Sequence, residues 1–297
     1  MVWLPCQGAS EKVWTEKAWA NPNITTNRIF SDMNTVDKSS VDQSTIIRPN
    51  DLNSAYTAPE IVKQRIRTLE ALEIQTGNHI LDIGCGTGFL TYDMARLTGE
   101  QGKVTAIDIS DDMVANTLSR CEDLDQVSAQ TGDICNLAAD DGTMDVVTCT
   151  QVLLYVKEVE KAIEEMHRAL KPGGRIAVLE TDWRGMVMSG NAEITEKIIQ
   201  AWDQTVASPN LPPRLPGLLR RQGFVGVRSE AIPLLNTSYS PSAFSTNSLT
   251  WMAKKAFQRG FISNEQGIEW VEEQKQLGIK GEYFFCVNRF LFSAVKS

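Results

Sequence analysis

Three glycines at alternate positions, Gly84, Gly86 and Gly88, follow an apolar run that ends in Asp82, in the stretch HILDIGCGTGFL. A strand that breaks into such a turn and continues as a helix presents free backbone N–H groups and a positive dipole end at the strand's carboxyl edge. That is a seat for an anion. In the dinucleotide fingerprint G-x-G-x-x-G the third glycine would fall on Phe89, so the spacing differs. Asp82 repels a pyrophosphate but suits a ligand that also carries positive charge. No Gly-Lys-Ser/Thr follows, which excludes a phosphate-binding loop of the nucleoside triphosphatase kind.

Two further acids continue the pattern. KVTAIDIS ends a strand in Asp108, about two dozen residues on, where a carboxylate can take both hydroxyls of a ribose. AQTGDIC ends the next in Asp133, placed to accept from an adenine amino group, with Ile109 and Ile134 as walls for the ring. Each acid alone is equally well read as a strand-end or helix-capping aspartate. Three at consecutive strand ends beside the glycine turn fit one shared ligand better. S-Adenosylmethionine has the right charges: its carboxylate can meet the helix N-terminus, while its ammonium and sulfonium favour nearby acids.

The elements that must position these residues alternate along the chain. APEIVKQRIRTLEALEI reads as a helix with Ile61, Ile66, Leu69 and Leu72 near one face. Strands are expected at 79–83, 103–109, 126–131, 144–148 and 175–180, with helices at 88–97, 111–121 and 157–170. In that last helix Val159, Ile163, Met166 and Leu170 form the buried stripe, and KPGG stops it. Short apolar strands alternating with helices predict an α/β fold, a doubly wound, mostly parallel sheet of the Rossmann-like kind. Beyond Glu180 helices are expected at 192–206, before Gly223, around 241–259 and at 263–277. Ser263 and Gln266 have capping-box spacing. FVGVRSEAIPLLN and EYFFCVNRFLFSAV are strands.

ILDIGCGTG, AIDIS, TGDI, MDVVTCTQVLLYV and LKPGGRIAVLE together resemble the class I S-adenosylmethionine-dependent methyltransferases, nearest the ubiquinone/menaquinone-biosynthesis group of small-molecule enzymes. The match covers roughly residues 60–180. It implies a seven-stranded sheet whose last strand is antiparallel, with a helical insertion after strand 5. It also implies a cofactor set of Asp82, Gly84, Cys85, Gly86, Gly88, Asp108, Ile109, Asp133 and Ile134, flanked by Thr150 and Gln151. The expected organisation is an N-terminal extension or lid over 1–57 and a methyltransferase domain over 58–297. Within that domain, 181–222 and 236–280 form the substrate-side cover. Trp3, Trp14 and Trp19 lie in the extension, which reads either as a segment packed outside the core or as a lid.

Methyl transfer from a sulfonium is an in-line displacement, so the protein must align the acceptor and exclude water. A base is needed only for a protonated acceptor. The two histidines are poor candidates: His79 starts the first strand at the wrong edge, and His167 flanks a buried helical stripe. LETDW places Glu180 and Asp182 on one side of a continuing strand with Trp183 beside them, as an acid to orient or deprotonate the acceptor and an aromatic wall. The same acids read equally well as loop caps. Tyr155, Trp202, Arg214, Tyr239 and Tyr283 are further pocket candidates, each as readily core or surface. Cys85, Cys149 and Cys286 lack the clustering of the arsenite-methylating members of the family, and no metal site is expected.

Composition bounds the partners. A net charge of -8 argues against a nucleic-acid partner. Six scattered cysteines fit a reducing compartment, and the uncharged stretch 231–253 is too polar to span a bilayer, so a cytoplasmic location is expected. The function expected is methyl transfer to a small organic acceptor; the alternative is a non-catalytic S-adenosylmethionine-binding assembly or regulatory protein. A nicotinamide oxidoreductase is opposed by Phe89 and Asp82.

Overall fold

In the computed structural model residues 56–297 are described. The lid expected over 1–57 therefore lies, apart from Tyr56 and Thr57, outside the described residues. In chain order the elements are α1 (Pro59–Leu72), β1 (His79–Ile83), α2 (Phe89–Thr98), β2 (Lys103–Asp108), α3 (Asp111–Arg120), β3 (Val127–Thr131) and β4 (Met144–Thr150). There follow α4 (Val159–Ala169), β5 (Leu170–Met188), α5 (Ala192–Asp203), α6 (Leu215–Arg221), β6 (Phe224–Asn236), α7 (Phe244–Gln258), α8 (Asn264–Lys280) and β7 (Phe285–Lys296).

The strands form one seven-stranded sheet in the order β3-β2-β1-β4-β5-β7-β6. β1 pairs in parallel with β2 and with β4, and β7 runs antiparallel to both β5 and β6. The expected fold class is therefore the observed one. Because β1 sends the chain outward to β2 and β3 and then back across to β4, the sheet's order reverses beside it. A crevice opens at the strand carboxyl ends at such a switch point, and the glycine turn leaves β1 into that crevice.

Both faces of the sheet are covered. Val159, Ile163, Met166 and Leu170 are all buried, as their spacing predicts, and join Val147, Cys149, Ile176 and Val178 of the sheet in one core. Each such side chain contributes about 1.5–3 kcal/mol by leaving water. Leu72, Met94 and Ala95 pack on the opposite face against Ile80, Val104 and Leu179. The capping box at Ser263 and Gln266 is formed in both directions, which fixes the start of α8.

Two expectations change. The buried face of α1 is Ile61, Gln64, Thr68 and Leu72, while Ile66 is 50% exposed. A step from 61 to 66 turns well off the face, whereas 61, 64, 68 and 72 keep the helical period, so polar Gln64 and Thr68 occupy core positions. The fifth strand also runs past Glu180 to Met188, with a bulge between Asp182 and Val187, because β7 pairs with it from Arg175 to Met188. KPGG does not separate helix from strand; it is an irregularity early in β5, where the register jumps from Met144–Leu170 to Val146–Arg175.

Candidate active site

The turn after β1 requires glycine by contact as well as by conformation. Gly84 has φ +70, and a Cβ there would fall 2.1 Å from Val152 Cγ2. Gly88 has φ +82 and caps α2; its Cβ would meet the Thr117 backbone of α3 at 2.9 Å. At Gly86 the added Cβ would reach the Tyr56 hydroxyl at 3.6 Å, an ordinary contact, so Tyr56 stands over the turn. Cys85 is buried in the turn, with Thr117 Oγ1 at 3.3 Å from its sulfur and 3.0 Å from Gly86 O. Phe89 opens α2 beneath Tyr56 and lies under the Arg120 guanidinium at 3.5 Å.

The three acids stand at the carboxyl ends of β1 and β2 and after β3, around this turn. Asp82 is 1% exposed and accepts from Thr91 Oγ1 at 2.6 Å; burial pushes its carboxyl up to about 7, against the pull of that hydrogen bond, with Asp108 adding to the rise. Asp108 accepts from Gly86 N and from Ser110 N, each at 3.0 Å, and so braces the turn. Asp133 accepts from Cys135 N at 2.8 Å. Ile109 is 75% exposed at the end of β2, whereas Ile134 packs into the core with Leu137.

Thr150 ends β4, and Gln151 follows with the left-handed φ of 60, uncommon for a side chain of its size. Three bonds hold it: its backbone N–H and Nε2 donate to Leu179 O, and its Oε1 accepts from Thr181 Oγ1. The next residues donate to Glu180, whose Oε1 accepts from Val152 N at 3.1 Å and Leu153 N at 2.7 Å. Glu180 is wholly buried, and its Oε2 has no partner. Burial raises it to about 8, against the backbone donors and the field of Arg289.

The acceptor-side candidates separate. Asp182 shares the Glu180 side of β5 and has a buried, unpartnered Oδ1. Trp183 stacks on Phe244 at 6.2 Å and meets Trp202 edge-on at 5.6 Å, in a chain of rings that continues to Trp251. Tyr155 is 41% exposed, within electrostatic reach of Glu180 and Arg289. Arg214 is exposed on the short turn before α6, and Tyr283 donates to Ser245 Oγ with Tyr239 against its ring edge. His79 donates its backbone N–H to Asp145 at the amino edge, and His167 packs edge-on against Phe224.

Sequence reasoning missed Arg289, Gln64 and Phe244. Arg289 is 5% exposed on β7, opposite Thr181; it donates to Gln64 and lies 4.9 Å over the Phe244 ring. A signal for it exists: in FCVNRFLF the buried alternation Phe285, Val287, Leu291 runs through position 289, which puts a charge in the core phase of the strand.

The profile of the Methyltransferase domain family matches residues 74–223, just over half of the 297. The chain belongs to that family. The matched segment holds the glycine turn, the three acids, Gln151 and Glu180, whereas Phe244 and Arg289 follow it. The chain is 35% identical to a demethylmenaquinone methyltransferase of Staphylococcus epidermidis over 130 residues, 44% of this chain and 54% of that protein. It thus spans about half the length of such curated relatives. Its fold is similar to that of phosphoethanolamine N-methyltransferase 2 of Haemonchus contortus, solved with S-adenosyl-L-methionine (TM-score 0.57, 20% identity, 88% of this chain and 61% of that one). It is also similar to that of the [4+2]-cyclase SpnF (TM-score 0.53, 21% identity, 79% and 80%). One fold thus hosts two chemistries. Among the described residues no helix is long and apolar enough to cross a membrane, and no group of three His, Cys, Asp or Glu side chains is placed to hold a metal ion.

Proposed function

We propose that this methyltransferase binds S-adenosylmethionine in the crevice beside β1 and transfers its methyl group to a small organic acceptor. The observation that carries the reading is a glycine turn that strains any side chain at Gly84 or Gly88, entered from Asp82 of β1 and braced by Asp108 at Gly86 N, with Asp133 following the neighbouring β3. The donor set fits the cofactor: free N–H groups at the start of α2 for its carboxylate, Asp82 for its cationic groups, Asp108 for the ribose and Asp133 for the adenine amino group. Cys85 and Gly86 supply backbone in the turn, Ile109 and Ile134 flank the ring, and Thr150 and Gln151 border the sulfonium side.

The bound cofactor supplies an electrophilic methyl carbon on a sulfonium leaving group. The chain's own task is positioning: Gln151 and Glu180 shape the ends of β4 and β5, and Trp183 walls the acceptor side. Glu180, pushed up to about 8, is the group to hold or take an acceptor proton, with Asp182 on the same strand side. Residues 181–222 and 236–280 provide the cover over the acceptor. Its field of action is the cytoplasm, without a nucleic-acid partner, in keeping with the charge of -8.

Calorimetry with S-adenosylhomocysteine tests the cofactor site: binding is expected, weakened strongly by Asp108→Ala, and absence of binding sinks the reading. Tritium transfer from methyl-labelled cofactor tests catalysis. Demethylmenaquinone, the acceptor named in the relatives, is the first to assay, followed by metabolite extracts. Tight cofactor binding with no transfer to any of them would instead favour a non-catalytic role.

A further inference from the structure

The acceptor side of the crevice holds a buried cation that the reading above does not use. Arg289 projects from the core phase of β7, opposite Thr181. Its Nη1 donates to a neutral partner, Gln64 Oε1, its guanidinium rests on the Phe244 ring, and its Nε is buried with no partner. Among the described residues no carboxylate lies within ion-pair distance of it. A buried guanidinium without a counter-ion is costly, and its planar fork is shaped to receive an oxyanion.

Its surroundings point the same way. Tyr56, Glu180 and Tyr155 all lie within electrostatic reach of Arg289. Tyr56 also stands over Gly86, so one residue faces the glycine turn and feels the field of the cation. Glu180 does not neutralise it by contact, because Oε1 is taken by two backbone N–H groups and Oε2 stays open. Trp183, stacked on Phe244, adds a second ring to the apolar wall beside the charge. Burial draws Arg289 down to about 10, which still leaves it charged at neutral pH.

We propose that Arg289, carried on Gln64 and Phe244, anchors the methyl acceptor by an anionic oxygen. The acceptor is accordingly an organic oxyanion, a carboxylate, enolate or phenolate, with an apolar body against Trp183 and Phe244. The role as acceptor rests on the methyltransferase reading; the anion site itself does not. The cofactor's carboxylate is a different anion, seated at the start of α2.

The probes are benzoate and its uncharged isostere benzamide, titrated calorimetrically into the full chain with and without saturating S-adenosylhomocysteine. Benzoate should bind about tenfold or more tightly than benzamide, the worth of a charge-assisted hydrogen bond. Arg289→Gln should abolish the preference while leaving S-adenosylhomocysteine affinity within about twofold. Should that variant not fold, Gln64→Leu, which removes only the guanidinium's neutral partner, should reduce the preference. Equal binding of the two probes to the wild type, a preference that survives in the folded variant, or displacement of benzoate by S-adenosylhomocysteine would each overturn the proposal. Failure to bind S-adenosylhomocysteine would overturn the cofactor reading alone, because the benzoate preference is read without it.

Discussion

The two sides of the crevice treat their polar groups in opposite ways. On the glycine side the charged groups are tied: Asp82 to Thr91, Asp108 to Gly86 and Ser110, and Asp133 to Cys135. The buried polar atoms left open there, among the described residues, are the hydroxyls of Thr87 and Thr148. On the acceptor side Glu180 Oε2, Asp182 Oδ1, Trp202 Nε1 and Arg289 Nε are all buried and without partners. An unpaired buried polar group weakens a fold, so the contrast separates a side whose groups complete one another from a side whose groups stay open. The family profile covers the first side fully and stops before Arg289.

Breaking the glycine-side frame should give the largest effect on cofactor binding. Gly84→Ala combines a left-handed φ with a Cβ 2.1 Å from Val152, and such backbone strain alone costs ~1–3 kcal/mol. Calorimetry should show S-adenosylhomocysteine affinity falling about a hundredfold, the equivalent of ~3 kcal/mol; wild-type affinity in a folded variant would show that the turn is not the seat. Trp183→Ala opens the aromatic wall and should lower stability by ~3–5 kcal/mol in denaturant unfolding. Cofactor affinity should be nearly unchanged, and a parallel loss would merge the two sides into one.

Acidity sharpens the contrast further. Asp82 and Glu180 both have carboxyls raised by burial, from 3.8 to about 7 and from 4.5 to about 8. Their protonated forms favour the fold, so that stability is fully present below about pH 4 and is lost as pH rises through about 7 and then 8. The melting temperature of the free protein should therefore fall between pH 6 and 9, less steeply in Asp82→Asn and Glu180→Gln. A cationic cofactor favours ionised Asp82, so its affinity should rise from pH 5.5 to 7.5 with proton release measurable in buffers of different ionisation enthalpy. Asp82→Asn should remove that release and Glu180→Gln should keep it. The smallest effect belongs to the half-exposed Ile66, outside both sides: Ile66→Lys should change the unfolding free energy from denaturant titration by less than ~0.5 kcal/mol.

The glycine side was legible because its signals are local. Gly84, Gly86 and Gly88 declare their backbone directly, and Asp82, Asp108 and Asp133 stand where apolar runs end. On the acceptor side, position is set by partners distant in sequence. Ile66 reads as core by composition, yet Gln64 is buried because Arg289, 225 residues later, needs its amide. TDWRGMVM does not read as strand, since Asp182, Arg184 and Gly185 are poor strand formers; pairing with β7 extends β5 regardless. Arg289 was visible only as a charge in the wrong phase of an alternating strand, a pattern that gains meaning once both neighbours of β7 are known.

The place of β7 between β5 and β6 also dictates an order of assembly. β6 is made some fifty residues before the strand it must pair with, and β5 about a hundred before. Until β7 arrives, the growing chain carries two unpaired edges rich in Val, Ile and Leu, the kind that stick to copies of themselves. The sheet closes only when its most distant pairing forms, which is a slow step for any chain. Arg289 enters the protein with that closing strand, so the acceptor side is completed only after the glycine side.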